Sequence, residues 1–319
     1  MSTVSIRWID SDGVFHEGDQ SSLSESLTSG WVWVDVLAPD SPTIDALAES
    51  FDLHPLAVED LAHPQTRAKL DIYPGSIFFA WLIPRIREGD GFIVDELDVF
   101  LGQKYLITVH DSPVPAIDHI ATEAGKTLRS GADWTLHAII DLQVDATMPL
   151  VDDIGEQLNS IEDAMLESSP RQEDLRDLHQ VRRQLVRLHR IVAPERDVLH
   201  ALARERDVVS EDAYRYFSDV SDHVARVLDS VEIYQDVGAS VMDVYLSAQN
   251  NRMNEIMKQL TVVATIFMPL TLISGIYGMN LLVGMRPSPL DPNSFWVVVA
   301  AMLTIAAVMS AYFRKKKWW

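Results

Sequence analysis

The chain has 319 residues, 47 of them acidic against 26 basic, and no cysteine. Such a length allows one large or two ordinary domains with a proper buried core. The composition excludes a disulfide scaffold, thiolate metal sites and cysteine nucleophiles, and a net charge of −21 excludes nucleic-acid binding through clustered Lys and Arg.

Charge is unevenly spread along the chain. Residues 252–319 hold seven basic and two acidic side chains, so residues 1–251 carry 45 acids against 19 bases. An acidic body that attracts cations is joined to a basic, apolar tail. At the N-terminus, Ser5-Ile6-Arg7-Trp8-Ile9-Asp10 alternates in polarity and is too short for a signal peptide.

Residues 1–130 mix strand and helix signals. Trp31-Val32-Trp33-Val34-Asp35-Val36 and Ser76 to Leu82 are apolar runs of strand length. Val99-Phe100-Leu101 and Tyr105 to Val109 read as a hairpin with Gly102 between them. Asp40-Ser41-Pro42 supplies a cap and a first-turn proline to a helix carrying Ile44, Leu47 and Ala48. The expectation is a mixed sheet with helices on its faces.

Residues 131–209 read as a helical hairpin with its tip at Ser168-Ser169-Pro170, and Pro149 is expected to kink or split the first arm. Its acids, Glu156, Glu162, Asp163, Glu167, Glu173, Asp174 and Asp177, read as a solvated face. His179 and His189 read as surface residues, and no His/Asp/Glu set has catalytic spacing, so the chain is not expected to be an enzyme. From Ser210-Glu211-Asp212 a capped helix begins that meets no proline until Pro269 and only Gly238 in its interior. Residues 210–258 form a stalk and 259–280 continue it as a first span. A lone helix of about 95 Å does not hold in water, so it must pack on the body or on copies of itself.

Positions 259–285 and 292–313 carry no charge, and each stretch is long enough to cross a bilayer. Tyr277, Trp296, Tyr312, Trp318 and Trp319 sit at span ends, where amphipathic rings favour the headgroup level. The loop 281–294 joins the spans, 295–313 is the second, and Arg314-Lys315-Lys316-Lys317 opens a basic tail, 314–319. By the positive-inside rule both termini are expected on the cytoplasmic side of the inner membrane. The fold class expected is therefore an α+β membrane protein, with an N-terminal αβ domain and a long stalk helix running into the first of two C-terminal spans.

Along the first span Gly275, Thr271, Met268, Ala264, Thr261, Met257 and Asn254 follow steps of three and four. This seam of small, flexible or weakly polar side chains suits either a pore lining, with Leu260 as an apolar constriction, or a tight helix contact. The span ends in Tyr277-Gly278-Met279-Asn280. That tetrapeptide after the first of two terminal spans, with a basic cluster after the second, resembles the CorA-type divalent cation transporter family. Ile266-Phe267-Met268-Pro269-Leu270-Thr271, Tyr216-Phe217-Ser218-Asp219-Val220-Ser221-Asp222-His223, His54 to Asp60 and Phe313 to Trp319 are similar to family segments, in order along the whole chain.

The resemblance implies a homopentamer in lipid, with a pore lined by the first span and Mg²⁺ (also Co²⁺ and Ni²⁺) entering down the membrane potential. It settles the seam as a pore. Gly278, Met279 and Asn280 would form the selectivity filter, and Thr271, Met268, Ala264, Thr261, Leu260, Met257 and Asn254 the lining. Mg²⁺ dehydrates reluctantly, so neutral amides that accept hydrogen bonds from its water shell suit passage better than carboxylates. Internal Mg²⁺, bridging acidic protomers, would hold the channel closed, with Asp219 as the stalk ligand and Asp90 (or Glu88) as its sheet-domain partner. No tightly bound cofactor is expected; Mg²⁺ is both substrate and regulatory ligand. Many relatives carry an acidic segment after the Asn, whereas Leu281 to Pro289 here has no acid and one base, Arg286. That departure leaves room for a ZntB-type zinc transporter. A non-conducting membrane-tethered ion sensor or scaffold is the second alternative, and a membrane-anchored hydrolase a third.

Overall fold

The computed structural model describes residues 2–28, 30–87, 91–167, 171–278 and 292–318. They form two compact units, one of residues 1–163 with 173–241, the other of residues 164–172 with 242–319.

The first unit holds a seven-stranded mixed sheet. Its strands are β1 (Thr3–Ile9), β2 (Phe15–Gly18), β3 (Trp31–Leu37), β4 (Lys69–Tyr73), β5 (Ser76–Arg87), β6 (Gly91–Gly102) and β7 (Tyr105–His110), in the order β2-β1-β3-β7-β6-β5-β4. Only β3 and β7 run parallel; every other pairing is antiparallel. Period-two alternation divides the side chains between two faces. Ile6, Trp8, Val32, Val34, Val36, Phe78, Phe100 and Ile107 form one core with Leu23, Leu47 and Ala57. Those last three come from α1 (Leu23–Ser26), α2 (Ser41–Phe51) and α3 (Pro55–Leu61). Asp40 caps α2 by accepting the Thr43 N–H at 3.1 Å, as its sequence predicts. On the other face Trp33 donates to Thr108 Oγ1, which donates in turn to Asp35, and α4 (Pro115–Ser130) lies against β1 and β3.

Three long helices follow: α5 (Ala132–Glu167), α6 (Gln172–Leu202) and α7 (Glu211–Tyr277). No split occurs at Pro149. Ile140 and Val144 before it and Val151 and Ile154 after it are all buried, so packing holds both halves of α5 in one row. Pro194 likewise lies inside α6. In α6 the positions 178, 181, 185, 188, 192, 195, 199 and 202 are buried, a repeat of threes and fours that faces its neighbours. In α7 Ala213, Phe217, Val220, Val224, Val227 and Val231 do the same. Gly155 on α5 makes room for α7, because a Cβ there would lie 2.3 Å from the Tyr234 ring. Gly238 does not interrupt α7; a Cβ there would meet the Arg182 side chain at 3.3 Å.

The second unit contains the later part of α7 and α8 (Pro292–Lys315). At 1.5 Å per residue the 67 residues of α7 span about 100 Å. Two of the helices are long and apolar enough to cross a membrane, α7 and Phe295–Lys315 of α8. Val262, Ile266 and Phe313 are buried together, with Leu270, Ala306 and Met309 packed around them, so α7 and α8 form a helical hairpin. Below it Lys258 Nζ donates to the Lys317 carbonyl at 2.9 Å and lies over the Trp318 ring.

Candidate ion pathway and metal-binding cluster

The α7 seam takes its geometry from helix periodicity. At about 100° per residue, the side chains packed on α8 (Val262, Ile266, Leu270) point about 170° away from the mean direction of the seam. Asn254, Met257, Leu260, Thr261, Ala264, Met268 and Thr271 are all exposed in the single chain, Met268 at 71 %. An apolar helix with one face bound to its hairpin partner thus presents an opposite, uncovered face of small and weakly polar residues.

The threonines on that face are locally primed. Thr261 Oγ1 donates to the Met257 carbonyl at 2.7 Å and Thr271 Oγ1 to the Phe267 carbonyl at 2.9 Å. Each hydroxyl hydrogen is spent on the backbone, which leaves the oxygen lone pairs as acceptors. Acceptors match the waters of a hydrated cation, whose hydrogens point outward. Pro269, lacking an N–H, withdraws the helical donor of the Thr265 carbonyl and adds a further acceptor within the span. Gly278 ends the helix, its N–H bonded to the Ser274 carbonyl at 2.9 Å. Met279 and Asn280 lie outside the described residues, as do Glu88 and Asp90.

A second constellation sits in the first unit. Asp141 and Asp145 lie one turn apart on α5, and Asp219 and His223 one turn apart on α7. His223 lies 3.6 Å from Asp145 through Nδ1 and 3.6 Å from Asp219 through Nε2. Ligand atoms of Asp141, Asp145 and His223 all fall within 4.8 Å of one another. Burial pushes the Asp141 carboxyl up, with His137 opposing and Asp145 adding to the shift. Burial likewise pushes His137 down, against the pull of Asp141 and Asp219. A bound divalent cation would relieve this concentration of carboxylates. One imidazole with two carboxylates suits Co²⁺, Ni²⁺ or Zn²⁺, whereas Mg²⁺ takes oxygen ligands.

The resemblance implies Asp219 as a stalk ligand; the three residues whose ligand atoms gather here are Asp141, Asp145 and His223, none of which the sequence reading assigns as a ligand. The available signal was two pairs at i, i+4 on separate helices, which marks a face of each helix without saying that the faces meet.

An αβ domain and a helix carried unbroken into an apolar hairpin of two candidate spans define the fold class of a membrane protein. The family model described as CorA-like Mg²⁺ transporter protein matches residues 28–315. The chain belongs to that family. It is 33 % identical over 303 residues to the cobalt/magnesium transport protein CorA of Thermotoga maritima, covering 92 % of this chain and 84 % of the relative. Its fold matches the complete structure of the CorA magnesium transporter from Methanocaldococcus jannaschii with a TM-score of 0.84 at 24 % identity, over 99 % and 98 % of the two chains. The zinc transport protein ZntB of Pectobacterium atrosepticum is 26 % identical, over 69 % of this chain and 67 % of that protein.

Proposed function

We propose that the chain assembles as a homopentamer in the inner membrane, both termini cytoplasmic, and conducts hydrated Mg²⁺ inward, with Co²⁺ and Ni²⁺ as further cargo. The observation that carries this reading is the α7 seam, uncovered on the side opposite α8. Five such faces around an axis make a conduit without a carboxylate in its wall. The threonine acceptors hold first-shell waters weakly and at several levels, as conduction requires. Asn280 is the outer filter, with the Gly278 carbonyl beside it. The membrane potential is the driving force, worth ~4.6 kcal/mol per 100 mV for a divalent ion, so no nucleotide site is needed.

Regulation is proposed at the stalk. Internal divalent cations bind near Asp219, with Asp141, Asp145 and His223 around it, and favour the closed state. Asp90 remains the proposed partner from the sheet domain.

The test is growth of a magnesium-uptake-deficient cell on low Mg²⁺ carrying the wild type or Asn280→Ala. Rescue by the wild type alone is expected. Rescue by both would remove Asn280 from the filter. The zinc reading rests on the ZntB likeness and the acid-free segment after Asn280; Zn²⁺ flux without Mg²⁺ flux in vesicles would favour it.

A further inference from the structure

The sheet of the first unit holds an acid pair that the transport reading does not use. Lys69 of β4 pairs with Ala80 of β5, and Ala80 pairs with Asp98 of β6. These three side chains therefore stand in a row on one face, with only a methyl group between the Lys and the Asp. Glu96, two residues before Asp98, shares that face. Asp98 is 8 % exposed, and its Oδ1 is buried without a hydrogen-bond partner.

The two carboxyl groups are within hydrogen-bonding reach of each other, and two carboxylates cannot bond without a proton between them. The Gln65 N–H decides which partner is the anion. It donates to both Glu96 oxygens, at 2.8 and 3.1 Å, so Glu96 is the acceptor and Asp98 carries the proton. Burial, then the Glu96 charge, push Asp98 up to about 8.

The surrounding charges leave the pair as it is. Lys69 favours the anion, but its ammonium is already bonded to Asp60 and lies 3.2 Å from Asp71. Asp111, just after β7, adds negative charge. Arg187 and Arg190 of α6 line a cleft of about 410 Å³ with Glu96 and Asp95, and Asp95 is paired with Arg85 at 3.2 Å. Glu195 of α6 occupies one of the buried positions of the helix repeat, and burial pushes its carboxyl well up against the opposing pull of the Leu82 N–H.

We propose that Glu96 and Asp98 form a proton-binding site, one proton held between two carboxyl groups on a buried strand face, whose release weakens the β4–β5–β6 end of the sheet. On release the proton goes to solvent and two adjacent anions remain on β6. An acid that binds its proton more tightly in the folded state loses stability as pH rises, from the ordinary carboxylate range of about 4 up through its folded value. Stability of this end of the sheet thus falls from about pH 4 upward and levels off once the proton has left the folded protein, above about 8. It does not depend on which ion the chain carries.

Thermal unfolding of the full-length protein in detergent at pH 6.5 and 9.5 tests this, comparing wild type with Asp98→Asn. The amide imitates the neutral acid and cannot ionise. Other titrating groups are common to both proteins and cancel in the comparison. Between the two pH values the variant is expected to gain several degrees on the wild type. A gap independent of pH would overturn the proposal. Should Asp98→Asn not fold, Glu96→Gln gives the second reading. Removing the facing charge moves the midpoint of the pH-dependent loss to lower pH, and an unmoved midpoint would overturn it equally.

Discussion

Asp133, at the start of α5, accepts both the backbone N–H and the hydroxyl of Ser210, at 2.9 and 2.7 Å through Oδ2. Ser210 Oγ in turn accepts the Ala213 N–H, so Asp133 anchors the residue that caps α7. The other oxygen, Oδ1, takes the Trp134 N–H at 2.9 Å. One buried carboxylate thereby ties the first turn of one long helix to the first turn of another.

Asp133→Ala removes these bonds and leaves Ser210 without its buried acceptor. A loss of about 2 kcal/mol is expected, the range for hydrogen bonds to a charged group. Thermal unfolding of the full-length protein checks it, and an unchanged midpoint would mean that water replaces the carboxylate.

The seam makes a directional claim about bulk. Ala264 lies on it, whereas Val263, also exposed, points to another side of α7. Ala264→Leu is expected to lower Mg²⁺ uptake into vesicles at least tenfold by filling the conduit, and Val263→Leu to leave uptake within twofold. Equal effects of the two substitutions would contradict a pore along this face.

The stalk cluster predicts metal-linked stability. A ligand that binds only the folded state raises the unfolding midpoint, by ~2.7 kcal/mol at a hundredfold excess over Kd. Co²⁺ or Ni²⁺ should therefore stabilise the wild type more than the same concentration of Mg²⁺, because the imidazole prefers them. His223→Ala should abolish that difference between metals, and its persistence would place the ion elsewhere.

His110 gives a pH dependence of its own. Burial pushes its imidazole down, but the Asp35 carboxylate at 3.1 Å and the Ser112 carbonyl outweigh this, and its net shift is upward. The charged form is favoured on folding. Its contribution is fully present below the unfolded value of about 6.5 and is lost as pH rises through the folded value. Asp35→Asn should return the His110 titration, followed by NMR, to 6.5 or below; a midpoint that stays raised would assign the shift to another group.

Local signals carried much of the fold. The capped start at Asp40, the strands at Trp31 and Tyr105 and the charge-free stretches were all legible, because each depends on neighbours within a turn or a pleat. Pro149 misleads for the same reason: judged locally it splits a helix, whereas in place the packing of Val151 and Ile154 carries α5 through it. Gly238 leaves α7 continuous, as the sequence reading has it. The short strands β1, β2 and β4 are not assigned from sequence, nor is α4, although its apolar positions 116, 117, 120, 124 and 128 follow a helical repeat.

Chain order and hydrophobic period by themselves determined that this protein is an acidic αβ body on a helical hairpin, with one polar stripe along an apolar helix. These are properties of consecutive residues. Only the tertiary structure decided that β3 pairs with β7, that Asp141 meets His223, and that a buried Asp98 and a half-buried Glu96 share a sheet face with Lys69. Such contacts join residues far apart in the chain, and a carboxylate carries no mark in sequence of whether water or another carboxylate will face it.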